Sequence, residues 1–347
     1  IHTHTHTHTY TEGEKESVTD KTKNAEFAIM SEELISMIEY AIQKEQKMFI
    51  FASRRGLSPQ TVCGHCGTTV SCKHCKAPVV LHKNQKTGER YFLCHHCGKE
   101  RGALEACVAC NSWKLVTLGI GTDTVFEEVK KRFPNAPLYR VDKDVTKTDK
   151  EVKKAMKEFS GNAGAAILVG TELALAHLET LPYVAVASMD SLFSIPDLRI
   201  HERIAHISLR LLEVTRTYLL IQTRNADSPL IKAFFSKTLA DFVHDELEVR
   251  KRLDYPPFSL MGKISLTGTA DAISKQAKNI EESLKNYEPS VFPAFIPSAQ
   301  GSTINILFKL PQDIWKNPVR RVQHELFLKL SAISQITPVH IQPESFI

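Results

Sequence analysis

Residues 61–75 read TVCGHCGTTVSCKHC, two Cys-x-x-Cys pairs in one short run, and two more pairs follow at Cys94/Cys97 and Cys107/Cys110. All eight cysteines of the chain sit in these pairs. A Cys-x-x-Cys turn aims two sulfurs at one ion about 2.3 Å away, and two such turns complete a tetrahedral set of four thiolates. Four turns therefore imply two closed, structural zinc sites. Disulfides, a thiol redox motif and an iron–sulfur cluster are the competing chemistries; the repetition of the pairs favours zinc. The pairs can join sequentially, crossed or nested, and a nested scheme makes a hairpin-like finger whose two ends meet at its base. His65, His74, His95 and His96 lie in or beside the turns. With enough thiols for both ions, they are expected at the surface. The block is rich in Gly, Lys and His and cannot close a core of its own. Zinc here supplies folding free energy, about 10 to 16 kcal/mol of apparent binding energy per structural ion.

The totals set the compartment. A chain of 347 residues, 42% hydrophobic and 24% charged, reads as an ordinary globular protein of two or three domains. Its net charge of +5 permits a nucleic-acid partner without demanding one. No apolar run approaches the roughly 18 residues of a membrane span, and the start carries no apolar signal core. The expected location is cytoplasmic, with no membrane partner. In that reducing compartment paired cysteines are metal thiolates rather than disulfides.

The elements that must position the cysteines follow from periodicity. Residues 1–30 begin IHTHTHTHTY, with His2, His4, His6 and His8 alternating with threonines, and then turn polar; a disordered or ragged tail is expected there. Ser31 is an N-cap for a helix whose stripe is Ile35, Met37, Ile38 and Ile42. KMFIFAS (47–53) reads as a buried strand. After the cysteines, VTLGIGTDTVFEEVKKRF gives strand, glycine turn and helix, and strands and helices alternate up to YLLIQTR. That alternation argues for a parallel sheet covered on both faces. A helical stretch from about Pro229 to Arg252 reaches the breaker YPPF at 255–258. Beyond it the order is βαββαβ, a small ferredoxin-like α+β domain.

Several of these stretches together resemble one family. IFASRRGLSP followed by the four turns, then GIGTDTVFEEVKKRFPNAPLYRVDKD, AAILVGTELAL, MDSLFSIPDLRIHER and the ending VHIQPESFI are similar to the C-terminal half of the bacterial primosomal replication-restart helicases (primosomal protein N′, PriA). The resemblance implies a RecA-like helicase second lobe over 31–60 and 112–223, with a two-zinc finger over 61–111 inserted in it. A helical connector would span 224–256 and a C-terminal domain 257–347. It also implies the nested pairing: Cys63, Cys66, Cys107 and Cys110 on the first zinc, and Cys72, Cys75, Cys94 and Cys97 on the second. By the same resemblance Arg54, Arg55 and Thr171 are candidate nucleic-acid contacts. Forked or single-stranded DNA, single-stranded DNA-binding protein and primosome proteins are the implied partners.

The departures concern the motor. An ATP-driven helicase needs a phosphate-binding loop of the form G-x-x-x-x-G-K-S/T, and the chain has no such run. The Asp-Glu-x-His box is absent too, because HDEL at 244–247 lies in a helix beyond the second lobe. The family carries a Gln-x-x-Gly-Arg-x-Gly-Arg run shortly after the Glu-Arg that matches Glu202-Arg203; here IAHISLRLLEVTRTYLLIQT replaces it with an amphipathic helix. An arginine finger of that kind is worth about 10³ to 10⁵ in rate. Where the family has a lysine and a glycine after its Gly-Thr, the chain reads AHLETLP, and the arginine-bearing hairpin of the family's C-terminal domain is FIPSAQGSTINILFKL here. The expected protein is thus a zinc-bearing, non-catalytic relative that binds DNA or replication proteins, with no catalytic residue and no ATP bound by this chain alone. Two other functions fit the same fold. One is the second half of an active 3′–5′ DNA helicase whose first lobe is encoded elsewhere. The other is an interaction module for single-stranded DNA-binding protein or other replication proteins.

Overall fold

The computed structural model describes residues 6–11, 17–20, 29–53, 60–66, 68–74, 79–83, 88–94, 99–118, 120–193, 195, 197, 199–223, 228–293, 302–311 and 320–342. They fall into two compact units, the first running to Thr238 and the second formed mainly by Leu239–Ile347 together with Pro196–Arg199.

The first unit runs β1 (His6–Thr11), β2 (Ser17–Asp20), α1 (Glu32–Gln43), β3 (Lys47–Phe51), β4 (Gln60–Cys63), β5 (Val80–Lys83), β6 (Arg90–Leu93), β7 (Glu100–Gly102), β8 (Leu115–Leu118), α2 (Thr122–Arg132), β9 (Leu138–Val141), α3 (Asp149–Gly161), β10 (Ala166–Gly170), α4 (Glu172–Leu175), β11 (Leu181–Val186), α5 (Asp190–Phe193), α6 (Ile200–Val214), β12 (Thr215–Thr223) and α7 (Pro229–Phe235). Its main sheet has the order β2-β1-β12-β11-β3-β10-β9. The five strands β12, β11, β3, β10 and β9 pair in parallel. Strand β10 is buried along its whole length, as a strand with helices on both faces must be. Helix α1 starts where Ser31 accepts a bond from the Leu34 amide. It lays Leu34, Ile38 and Ala41 over Met48, Ile50, Ile167, Val169 and Ala185 of the sheet. Each such fully buried Leu or Ile contributes about 1.5 to 3 kcal/mol.

Two local readings change. The His/Thr repeat, expected to be disordered, contributes β1, which pairs antiparallel with β12 and carries β2 on its other side. An alternating run of threonines suits an extended backbone, and β12 would otherwise leave a row of unpaired amides and carbonyls at the sheet edge. The strand expected from VTLGIG lies at Leu115–Leu118 and stays out of the main sheet. It forms β8, which pairs antiparallel with β4, because β4 and β8 are the entry to and exit from the cysteine block.

The second unit contains α8 (Leu239–Arg252), β13 (Ser259–Gly268), α9 (Ala270–Ser283), β14 (Ser290–Pro293), β15 (Ser302–Pro311), α10 (Arg320–Ser334) and β16 (Val339–Ile341). The helical connector is therefore two helices. It breaks at Ser236–Thr238, where Lys237 takes a left-handed backbone with φ 59°, and the unit boundary falls there rather than at the YPPF run. Four antiparallel strands order as β14-β15-β13-β16. Ile264, Leu266, Ile306 and Phe308 of the sheet share a core with Ile273, Ala277 and Ile280 of α9 and with Leu326 and Ile333 of α10.

Candidate metal centre and strand-end cavity

The pairing of β4 with β8 decides what the cysteines can do. Its register sets Cys63 opposite Leu115, and the Gly64 amide donates to the Lys114 carbonyl at 2.6 Å. A Cβ on residue 64 would lie 3.2 Å from that same carbonyl, so glycine permits the close approach. The segment leaving the block is thereby clamped against the first turn, and the first and fourth turns meet. The sulfurs of Cys63, Cys66, Cys107 and Cys110 all lie within 4.8 Å of one another. Cys63 Sγ is 3.5 Å from Cys110 Sγ, and Cys66 Sγ is 3.5 Å from Cys107 Sγ. A tetrahedron of bonds about 2.3 Å long spaces its corners about 3.8 Å apart, so the four sulfurs fit one zinc ion.

The backbone supports the same chemistry. The amides of His65 and Cys66 point at Cys63 Sγ, 3.4 and 3.5 Å away, and Thr68 Oγ1 lies 3.1 Å from Cys66 Sγ. The first turn is closed by Cys63 N donating to the Thr68 carbonyl at 2.9 Å, the fourth by Cys107 N donating to the Ser112 carbonyl at 2.9 Å. Burial would raise the Cys66 thiol, but its bonds to Thr68 and to the neighbouring thiols bring it down to about 7. Burial and the thiols beside it push Cys110 up to about 12. Four clustered thiols therefore do not ionise together at neutral pH without a cation to hold the charge.

The second set is partly visible. Cys72 and Cys94 are buried, whereas Cys75 and Cys97 lie outside the described residues. A brace links this outer part to the fourth turn. Arg101 stacks over Phe92 with its guanidinium carbon 4.9 Å from the ring centre. It donates to the Ser71 carbonyl at 3.2 Å and to Glu105 Oε1 at 2.6 Å, and Lys73 reaches Glu105 at 3.1 Å.

A second feature lies at the carboxyl ends of the parallel strands, where open α/β sheets bind ligands. Phe51 at the end of β3, Ser53 just beyond it, Lys143 after β9 and Thr171 after β10 line a cavity of about 310 Å³, and Leu192, Ile195, Glu172 and Arg203 are among its other walls. Thr171 caps α4, accepting from the Leu173 amide at 3.3 Å. Arg54 and Arg55 follow directly on Ser53 but lie outside the described residues. Lys143 and Arg203 did not stand out as site residues in the sequence, because charged residues so far apart in the chain carry no shared local pattern. The one signal was their place immediately after VD at a strand end and within the HER run.

The turn that carries Lys143 is fixed by the residue before it. Asp142 is fully buried and accepts from Arg140 Nε at 2.6 Å and from the amides of Asp144 and Val145 at 2.8 and 3.2 Å. Arg140 also pairs with Asp123 in the first turn of α2. Burial alone would raise the Asp142 carboxyl. The bonds from Arg140, Thr122 and Asp144 outweigh that and hold it below the usual carboxylate range. Asp142→Asn is expected to cost about 1.5 to 3 kcal/mol, the usual worth of bonds to a charged group, read from urea unfolding at pH 7. Because the folded pKa is the lower one, this stability is complete above the unfolded value near 3.9 and disappears as pH falls through the folded value. Wild type is therefore expected to lose its margin over the variant in acid.

The run that replaces the arginine motif is helical to Val214 and passes into β12 at Thr215 with no intervening loop. Arg210 pairs with Glu213 at 2.9 Å, and Arg216 donates to Thr180 Oγ1 at 3.3 Å.

Against known proteins, no family model matches the chain. Curated proteins do match. The replication restart protein PriA of Treponema pallidum is 30% identical over 249 residues, 70% of this chain and 36% of that protein. PriA of Haemophilus influenzae is 28% identical over 243 residues, 68% of this chain and 32% of that protein. PriA of Thermotoga maritima is 26% identical over 278 residues, 78% and 37% of the two. The chain thus spans about a third of the length of the curated relatives it matches.

Proposed function

The chain is a C-terminal region of the PriA family, and from that premise we propose that it is a zinc-bearing DNA-binding protein of replication restart, acting at forks in the cytoplasm without hydrolysing ATP by itself. The observation that carries this is the contrast within the first unit. Four sulfurs lie within 4.8 Å of one another at the base of a finger, while the stretch that would hold the arginine turn of a motor is continuous helix and strand. Cys63, Cys66, Cys107 and Cys110 hold one structural zinc, and Cys72, Cys75, Cys94 and Cys97 a second. The strand-end cavity supplies the backbone contacts. Lys143 and Arg203 face the phosphates there, with Thr171 beside them, and Arg54 and Arg55 follow in the chain directly after Ser53. The first unit is then a RecA-like second lobe and the second a ferredoxin-like domain.

Fluorescence anisotropy on labelled forked DNA tests this. A protein that neutralises at least three phosphates should show a slope of log affinity on log salt of about −2 or steeper, with no DNA-stimulated release of phosphate from ATP. Salt-insensitive or absent binding would overturn the DNA reading, and stimulated turnover would overturn the non-catalytic one. An interaction module for single-stranded DNA-binding protein or other primosome proteins is favoured by one separate observation. Leu104, Val108 and Trp113, all close to the Cys107 turn, are 89%, 95% and 67% exposed, unusual for large apolar side chains.

A further inference from the structure

Among the groups lining the strand-end cavity, one works against the others. Arg203 Nε and Nη2 both donate to the same oxygen of Glu172, at 2.9 and 2.6 Å, and both side chains line the cavity. The guanidinium fork is shaped for an oxyanion, and here a carboxylate from the chain already occupies it. Lys143, by contrast, is exposed and has no anion of the chain among its described contacts.

We infer that Glu172 is an internal competitor that occupies Arg203 until a phosphodiester of a nucleic-acid backbone displaces it. The inference rests on the reading of this cavity as a backbone-contact site. The exposures of the two side chains, 41% for Arg203 and 43% for Glu172, make displacement easy. An ion pair this open to water is worth only about 0 to 1 kcal/mol, so an entering phosphate has little to break. Nor can the carboxylate leave the cavity altogether, because Glu172 is the first residue of α4, directly after the cap Thr171. A bound phosphate would thus sit near a displaced negative charge, which weakens the complex and speeds its release. The cavity is thereby tuned for a strand that must let go.

The test uses the full chain and a labelled single-stranded oligonucleotide at fixed low salt, with five variants measured by anisotropy. Lys143→Gln reports on the cavity itself and is expected to weaken binding severalfold, as loss of one phosphate contact does. Glu172→Gln is expected to tighten binding about three- to fivefold. That gain should vanish in Glu172→Gln/Arg203→Gln relative to Arg203→Gln alone. Glu179→Gln, the same charge change at an exposed position outside the cavity, is expected to alter affinity less than about twofold. If Lys143→Gln has no effect, the cavity is not the contact site and the inference falls with that reading. If Lys143→Gln weakens binding while Glu172→Gln does not tighten it, Glu172 is no competitor and the cavity reading stands alone. A gain that survives without Arg203, or that Glu179→Gln reproduces, is general electrostatics and equally overturns the role given to Glu172.

Discussion

Replacing Cys107 by serine is expected to remove one zinc ion per chain and to open the base of the finger at its first and fourth turns, while the parallel sheet stays folded. The sulfur lost is one of four within 4.8 Å of one another. A structural zinc contributes about 10 to 16 kcal/mol of apparent binding energy, more than the whole stability of a typical domain. Little else holds this segment. Its strands β5, β6 and β7 are three or four residues long, and its largest fully buried side chain among the described residues is Phe92. Metal content by mass spectrometry and limited proteolysis read the outcome. Wild type should carry two zinc ions and resist cleavage within 60–118, and Cys107→Ser should carry one and be cut there. The main sheet lies outside the clamp, so its far-ultraviolet circular dichroism should survive. The affinity is pH-dependent with a definite sign. Thiolates bind and thiols do not, so acid releases the metal and the finger should become protease-sensitive as pH falls.

Gly262→Ala is expected to destabilise the second unit by about 1 to 3 kcal/mol, the usual cost of forcing extra volume into a packed core. Gly262 on β13 pairs directly with Phe308 on β15. A Cβ added there would lie 2.0 Å from Phe308 Cζ and 2.5 Å from the two neighbouring ring carbons. The ring covers the glycine and cannot move aside, because Phe308 is fully buried in the core it shares with α9 and α10. Thermal unfolding followed by calorimetry should show the transition of this unit lowered while the zinc content is unchanged. An unshifted transition would mean that Phe308 repacks freely and that this core is looser than its burial implies.

What could be read in the amino-acid order was what depends on neighbours. Ser31 signals its cap, Thr148 and Glu151 the capping box of α3, and the apolar run 47–51 its buried strand. The cysteine spacing likewise declares the two-residue turns. What escaped was set by contacts distant in sequence. That the first turn meets the fourth depends on the β4–β8 register and on Gly64 lying against Lys114; spacing alone left three pairings open. The strand β1 depends on a free edge of β12 some two hundred residues away, which no local pattern reports. The cavity cations Lys143 and Arg203 come from separate elements, and only the parallel order of β3, β9 and β10 brings them together. The departures from the family's motor motifs, in contrast, are legible as missing glycines and arginines, and the stretch concerned is helix up to Val214.

The measurement that bears most directly on the proposed function is the affinity for forked DNA before and after the finger is disabled, with wild type and Cys107→Ser titrated side by side at several salt concentrations. Expected is salt-sensitive binding by wild type that weakens at least tenfold in the variant, with no stimulated ATP hydrolysis in either. Equal affinity in the two proteins, or DNA-stimulated turnover by wild type, would contradict it.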